Sequence, residues 1–287
     1  MNIHDIKISA VLPNYNMANF LPKAIQTLVD QTEKFFEIII IDDASTDDSL
    51  KIIYDFMQRY DNIQLIKHEK NLGVNPGLNH GIEQSAADYI LFCAADDWYH
   101  PHIVTLAKAA IKKCPSVKLI CGDAVVYFYD KKAPFHRMLS FPQKNTYISP
   151  AEFRSIISHH YIGFNGGSII ANRQAVMDAK MLQPSLRWHA DWLLQFVLAL
   201  KHGLYYIDHV FAYVDLREES YCEGRHNMMQ QKQVLIAMID TLQTRYPELW
   251  QDFKKYGLMP NYSSRFLSWF LFNANLRRYV SVRLLWR

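Results

Sequence analysis

The sequence has few cysteines, and their spacing excludes two common stabilising frameworks. Its four cysteines are Cys93, Cys114, Cys121 and Cys222, and they form neither a C-x-x-C pair nor the spacing of a zinc site or a disulfide scaffold. Three of them lie in or beside apolar segments, which is typical of reduced core thiols in a cytosolic protein. With 50% hydrophobic and 14% aromatic residues, the chain must depend on an ordinary hydrophobic core.

Long apolar runs and a strong charge of one sign are missing as well. No run approaches the ~20 residues that a membrane-spanning helix needs, and the first residues lack the basic start and apolar core of a secretion signal. The 31 basic residues nearly balance the 28 acidic ones. The chain therefore lacks the strong positive electrostatic potential that is typical of a dedicated nucleic-acid binder. We therefore expect a cytoplasmic protein that does not bind nucleic acid.

The first 125 residues alternate between apolar β-branched runs and segments with a helical apolar stripe. The run "FEIIIIDDAS" has no polar alternation, as expected for a strand buried on both faces of a parallel sheet. Such alternation predicts a doubly wound α/β sheet, which binds ligands outside the carboxyl ends of its strands. Polar clusters follow the first four predicted strands, and their convergence predicts a pocket. They lie at residues 14–16, 42–48, 71–79 and 96–97.

Helix starts and stops are marked by local signals. Ser45 or Thr46 is placed to cap the second helix, and Ser149 followed by Pro150 predicts the start of another. Residues 227–256 predict one long helix or a pair of helices.

The adjacent carboxylates in "YILFCAADDWYHP" need an explanation, because like charges at a strand end are not easily buried together. One hypothesis is that Asp96 or Asp97 caps the helix that starts near Pro101. The other is that the pair binds Mg²⁺ or Mn²⁺, ions that prefer hard oxygen ligands.

Four segments, "AVLPNYN", "IIIIDDASTDDS", "NLGVNPGLNHG" and "YILFCAADDW", resemble in order and spacing the nucleotide-binding half of family 2 glycosyltransferases. The resemblance is close over about residues 7–125 and looser to about 215. It implies a GT-A fold, that is, a Rossmann-like, mixed, mostly parallel sheet flanked by helices. Residues 1–215 would form the catalytic domain, with a nucleotide-binding half (1–125) and an acceptor half (126–215), and residues 216–287 a helical C-terminal extension.

The resemblance also implies an activity. The enzyme would transfer a hexosyl or N-acetylhexosaminyl group, with inversion, from a nucleoside-diphosphate sugar to a hydroxyl of a glycan or lipid-linked acceptor. UDP is the expected nucleotide.

Residue roles follow from the same resemblance. Pro13 and Tyr15 would shape the wall against the base, and Asp43 would accept the imide N–H of uracil or thymine, although a turn-stabilising role for Asp43 is the alternative. Pro76 and Gly77 stand where many relatives carry a basic residue. The full implied nucleotide-binding set is Pro13, Tyr15, Asn16, Asp43, Asn71, Gly73, Asn79 and Asp96.

The acidic motif departs from the family pattern, since Ala94 stands where relatives often carry its first acid. The resemblance assigns Asp97 to Mn²⁺ or Mg²⁺, and Asp96 to the ribose or a second metal contact. A divalent ion there would neutralise the leaving nucleoside diphosphate.

An inverting transfer also needs a carboxylate base for the acceptor hydroxyl. Asp191 in "RWHADWLLQF" matches the family's Glu-Asp position, with Ala190 in place of the Glu; a helix N-cap is the alternative role. The resemblance implies that five further residues contact the donor sugar or the acceptor. For the two tryptophans among them, packing in the hydrophobic core is the alternative. The five residues are Gly166, Gly167, Trp188, His189 and Trp192.

Two other functions stay open. One is a scaffold subunit that binds a nucleotide sugar without turnover. The other is a nucleotide-sugar pyrophosphorylase, which the absence of a glycine-rich basic loop in "PNYNMANF" disfavours.

The final segment, residues 263–287, carries five arginines among aromatic and apolar residues and no acid. This composition suits contact with an anionic membrane surface. Packing on the catalytic domain, or on a second subunit of a homo-oligomer, is the other interpretation.

Overall fold

The computed structural model describes residues 6–128, 133–137, 139, 141–218, 220–258 and 271–272. The strands of this part are β1 (Ile8–Asn14), β2 (Glu37–Asp42), β3 (Ile63–Lys67), β4 (Tyr89–Phe92), β5 (Trp98–Tyr99), β6 (Leu119–Phe128), β7 (Phe135–Arg137), β8 (Thr146–Ile148), β9 (Ile169–Asn172) and β10 (Leu204–Leu216). The α-helices are α1 (Leu21–Val29), α2 (Ser49–Met57), α3 (Val74–Gln84), α4 (Ile103–Lys113), α5 (Pro150–His159), α6 (Arg173–Asp178), α7 (Ala190–His202), α8 (Met228–Arg245) and α9 (Pro247–Tyr256).

The strands form one mixed sheet in the order β3-β2-β1-β4-β9-β6-β10-β5, with β7 beside β6 and β8 beside β10. Strands β3, β2, β1 and β4 run parallel. Strand β9 is antiparallel to both β4 and β6, so β6 and its parallel neighbour β10 point the same way as β1. Six strands therefore end at one edge of the sheet, as the predicted α/β fold requires.

Strand β2 shows why the sheet is covered on both faces. All six of its residues are buried. Ile39 and Ile41 belong to one hydrophobic core, while Ile38 and Ile40 belong to a second core on the opposite face. This arrangement confirms the two-sided burial that the apolar run predicts.

Helices α8 and α9 complete the first of these cores. The apolar pattern over 227–256 is a pair of helices, divided where Pro247 begins α9. Met238, Leu242 and Phe253 are buried in the same core as the β2 side chains. The helices after β10 thus pack as an integral layer on the sheet.

The predicted helix cap at Ser149 is confirmed, whereas the predicted cap at Ser45 or Thr46 is wrong. Ser149 begins α5 with a complete capping box: its hydroxyl accepts from Glu152 N–H, and the Glu152 carboxylate accepts from Ser149 N–H. Helix α2 begins later than predicted, at Ser49 after Asp48. Ser45 is taken up by the strand-end loops instead, where its hydroxyl accepts from Asn14 Nδ2 and Asn16 N–H.

The segment 263–287 lies outside the described residues apart from 271 and 272. Among the helices that the structure describes, none is both long and apolar enough to cross a membrane.

Candidate active site

A cleft of about 280 Å³ opens at the carboxyl edge of the sheet. Its walls come from the ends of β1, β4 and β10, from the first turns of α3 and α7, and from the loop before β9. The residues that line it include Pro13, Asn75, Asp96, Asp97, Gly166, Gly167, Arg187, Trp188 and Asp191.

The acidic pair sits in the turn between β4 and β5. Asp97 N–H donates to the Ala94 carbonyl at 3.3 Å, and the Asp97 carboxylate accepts from Asp215 N–H at 3.3 Å. Neither aspartate caps α4, because His102 occupies the N-cap position there and makes no side-chain cap bond. The helix-cap hypothesis for this pair is therefore wrong.

The acidic pair places more negative charge than positive charge in a buried position. Asp97 is only 7% exposed. Burial, and then the neighbouring Asp96, raise the pKa of Asp97 well above its ordinary value, and Asp215 adds to the same effect. Buried carboxylates of like charge are stabilised by a bound cation.

One cation of this chain is already present at the pair, and the sequence patterns above do not single it out. Arg217, which follows β10, donates from Nη2 to Asp96 Oδ2 at 2.8 Å, and its guanidinium stacks 3.7 Å from the ring centroid of Phe20. Burial raises the pKa of Asp96 even so, against the opposing effect of Arg217. A basic residue directly after a long strand is the signal that could have identified it.

The chemistry of the acidic pair suits a divalent ion. Asp96 and Asp97 offer hard oxygens and a charge that one arginine does not neutralise. Within the described ranges, no group of three or more acidic, histidine or cysteine side chains is placed to hold a metal. An ion here would have to take its other ligands from phosphate oxygens and water.

The glycine pair Gly166-Gly167 forms a short 3₁₀ turn between the carboxylates of Asp97 and Asp191. The side chain of Asn165 stabilises this turn by accepting a hydrogen bond from Gly167 N–H at 3.0 Å. A Cβ added to Gly166 would overlap the Asp191 carboxylate, and one added to Gly167 would lie 3.3 Å from Asp97 Oδ2. The pair lines the cleft, and it is glycine because backbone must pass close to both carboxylates.

Asp191 lies in the first turn of α7, two residues after the position that caps the helix. Its Oδ1 accepts from Trp192 N–H at 2.8 Å. The N-cap position belongs to His189, so the N-cap alternative for Asp191 is wrong. Burial raises the pKa of Asp191 to about 6, which brings it into the range useful for a general base.

A second cleft of about 170 Å³ adjoins the first, and Asp191 lines both. Trp188 is also common to the two clefts, while His189 and Trp192 line only the second. Trp192 packs against Phe196, with ring centroids 4.7 Å apart, so it joins the core as well as the cleft wall. The Asp191 carboxylate therefore lies at the boundary between the two clefts.

Several residues of the implied nucleotide-binding set do not line either cleft. Asp43 is buried and accepts from Gly73 N–H at 2.7 Å, from Leu72 N–H, and from His68 Nδ1 at 2.7 Å. Asn79 holds the backbone of Leu182 with both carboxamide atoms. The other residues outside the cleft walls are Tyr15, Asn16, Asn71 and Gly73.

Helix α3 instead presents Asn75 to the first cleft. Asn75 Nδ2 donates to the Arg187 carbonyl at 2.9 Å, and Arg187 holds a positive φ of 47°. Local sequence gave no reason to choose Asn75 over Asn71 or Asn79, because the bond spans 112 residues.

A doubly wound sheet with acidic side chains around a cleft at its carboxyl edge defines an α/β protein whose ligand site lies at the strand ends. Residues 9–175 match the model of Glycosyl transferase family 2. That segment is more than half of the chain, and the protein belongs to this family.

Curated relatives share only part of their length with this chain. Glycosyltransferase GlyA of Streptococcus pneumoniae is 33% identical over 109 residues, which are 38% of this chain and 16% of GlyA. A cholesterol galactosyltransferase of Borreliella burgdorferi is 28% identical over 140 residues, which are 49% of this chain and 38% of that protein.

Solved structures show the same fold. Residues 1–349 of Staphylococcus aureus TarS in complex with UDP-GlcNAc match with a TM-score of 0.62 at 16% identity, covering 88% of this chain and 78% of that one. The predicted GT-A architecture is thereby confirmed.

Proposed function

We propose that this protein is an inverting glycosyltransferase that moves a sugar from a nucleoside-diphosphate sugar, UDP first among them, to a hydroxyl of a glycan or lipid-linked acceptor. The observation that carries the proposal is the position of Asp191 at the wall shared by two adjoining clefts. The first cleft, with Asp96 and Asp97, would hold the donor, and the second would hold the acceptor.

The chemistry assigned to Asp191 follows from its environment. A carboxylate with a pKa of about 6 is ionised at neutral pH and binds a proton more readily than an ordinary aspartate. It would take the proton of the acceptor hydroxyl while that oxygen attacks the anomeric carbon from the face opposite the leaving group.

Asp97 and Asp96 would hold Mn²⁺ or Mg²⁺, which supplies charge neutralisation for the departing diphosphate. Asp96 would also serve the ribose. Arg217, paired with Asp96 at 2.8 Å, adds a fixed positive charge at the same end of the cleft.

The base-binding part of the proposal concerns Asp43 and the loop that it holds. In the structure, the Asp43 carboxylate accepts the N–H groups of Leu72 and Gly73, which precede the first turn of α3. Contact with the imide N–H of uracil would add to these bonds or replace one of them. Pro13 lines the cleft beside α3 and would pack against the base.

A thermal-shift titration tests donor binding. UDP, GDP and dTDP are each added with Mn²⁺ or with EDTA, and a ligand at about 100 times its Kd should stabilise the fold by roughly 2.7 kcal/mol. For a chain of this size that corresponds to roughly 5 °C in Tm. We expect UDP to stabilise the protein only when metal is present; no shift with any nucleotide would refute the proposal.

Turnover separates an enzyme from a scaffold. Release of UDP from UDP-glucose, UDP-galactose and UDP-GlcNAc is followed with the wild type and with Asp191→Asn. The enzyme proposal expects measurable turnover in the wild type, which the variant loses while its UDP thermal shift is kept. A wild type that binds UDP but releases none from any of these sugars would favour the scaffold.

A membrane role for residues 263–287 is part of the proposal for a lipid-linked acceptor. Its support is composition, with five arginines among aromatic residues and no acid. Flotation with phosphatidylserine vesicles, compared between the full chain and a chain ending at 262, measures it. Equal flotation of the two chains would contradict the proposal.

A further inference from the structure

The indole and imidazole that precede Asp191 share one hydrogen-bonding partner, and it comes from a distant helix. Gln231, on α8 and fully buried, accepts from Trp188 Nε1–H at 3.0 Å through its Oε1. Its Nε2 lies 3.1 Å from His189 Nε2. A single carboxamide therefore contacts Trp188, which lines both clefts, and His189, which lines the second.

Hydrogen-bond chemistry fixes the orientation of this carboxamide. The indole N–H is a donor only, so the carbonyl oxygen of Gln231 must face Trp188. The amide NH₂ group, which is also a donor only, must then face His189. The ring nitrogen that it meets, Nε2, has to be the acceptor, and the proton of the neutral imidazole has to be on Nδ1.

The same geometry disfavours the charged form of His189. An imidazolium would carry a proton on Nε2 and place a second donor against the Gln231 amide. His189 is 8% exposed, so water cannot readily relieve such a conflict.

We propose that Gln231 is a positioning residue that keeps His189 as the neutral, Nδ1-protonated imidazole and holds Trp188 in place at the acceptor side of Asp191. A neutral ring beside the start of α7 leaves no extra cation to weaken the proton affinity of the Asp191 carboxylate. The link to the acceptor rests on the proposed function, whereas the state of the His189 ring does not.

The surroundings of Trp188 support a positioning role. A Cβ added to Gly224 would lie 2.6 Å from the indole ring, and the Tyr221 ring meets it edge-on at 6.1 Å between centroids. Gln231 supplies the polar contact of this enclosure. Gln230, its neighbour, instead accepts from Arg187 Nη1 at 3.2 Å in an exposed position, which makes it a matched control.

The experiment observes the imidazole directly. Long-range ¹H–¹⁵N correlation spectra of the ¹⁵N-labelled full chain are recorded at pH 8, and the His189 signals are identified by their loss in His189→Gln. We expect a protonated Nδ1 and an unprotonated Nε2. In Gln231→Glu, the carboxylate accepts from both neighbours, so His189 Nε2 should become protonated, while Gln230→Glu should leave the wild-type pattern unchanged.

Two results would overturn the inference: a wild-type His189 that carries a proton on Nε2, or a Gln231→Glu variant in which His189 Nε2 stays unprotonated. UDP thermal shifts of the same samples separate this outcome from the proposed function. If UDP fails to stabilise the wild type while the His189 pattern is as expected, the proposed function fails and the inference about Gln231 stands.

Discussion

At the scale of single residues, the most demanding contact in the site is the one between Gly166 and Asp191. A methyl group at position 166 would overlap the Asp191 carboxylate, so Gly166→Ala must displace the proposed base. Misplacement of a catalytic group by about 1 Å can cost on the order of 100-fold in rate. We expect Gly166→Ala to lose at least that much of the rate of UDP release from the sugar nucleotide.

A second glycine provides the control for this substitution. A Cβ at Gly77 would meet Pro13 Cβ at 3.6 Å, an ordinary contact, and Gly77 lies inside α3. Gly77→Ala should therefore keep the rate and stabilise the fold by about 0.5–1 kcal/mol. Equal rates for Gly166→Ala and the wild type would contradict the assignment of Asp191.

The ionised form of Asp191 should lower the free energy of unfolding. Its pKa rises from 3.8 to about 6 on folding, so the cost is fully present above about pH 6 and disappears as the pH falls through that value toward 3.8. At 1.36 kcal/mol per pKa unit, Asp191→Asn should stabilise the fold by up to about 3 kcal/mol at pH 8. Tm values at pH 8 and pH 5 measure this, and the gain should be smaller at pH 5.

The same ionisation should govern the rate. Since the base acts only when deprotonated, kcat/KM should fall about tenfold per pH unit below pH 6. A rate that stays level down to pH 4.5 would argue against Asp191 as the base.

At the scale of elements, helix α3 is bonded to the segment between α6 and α7 through two amides on neighbouring turns. Asn75 holds the Arg187 carbonyl and Asn79 holds the Leu182 backbone. Removing either should destabilise the fold by about 1–3 kcal/mol, because buried backbone groups lose their partner.

The two variants should differ in nucleotide binding. Asn75 lines the first cleft and Asn79 does not, so Asn75→Ala should reduce the UDP thermal shift and Asn79→Ala should leave it near the wild-type value. Loss of the UDP response in Asn79→Ala alone would support the nucleotide role that the family resemblance assigns to Asn79.

Element types were predictable because they depend on local pattern. The unbroken apolar run of β2 predicted burial on both faces, and the Ser-Pro sequence at 149–150 predicted the start of α5. The start of α2 was predicted too early because Ser45 looks like a cap in isolation. In the fold, its hydroxyl accepts from Asn14 and Asn16, two residues that only the packed sheet brings near.

At the scale of the whole molecule, α8 and α9 are required for the core. They bury Met238, Leu242 and Phe253 in the cluster that covers one face of the sheet. Exposing several such side chains at about 2–5 kcal/mol each exceeds the usual total stability of about 5–15 kcal/mol. A chain ending at residue 226 should therefore show no cooperative unfolding transition.

Circular dichroism during heating measures this, and a chain ending at residue 262, which retains both helices, is the matched control. Cooperative unfolding of the shorter chain would show that α8 and α9 are dispensable.

The sequence by itself determined the alternation of strands and helices, the acidic pair at the end of β4 and the single aspartate at the start of α7. These features depend on neighbouring residues, whose apolar periodicity and local charge are visible in a linear chain. Tertiary structure decided the rest: Arg217 pairs with Asp96, the glycines pass against the two carboxylates, and Gln231 reaches Trp188 and His189. Such contacts join residues that lie tens or hundreds of positions apart, and only the folded path of the backbone brings their polar atoms within bonding distance.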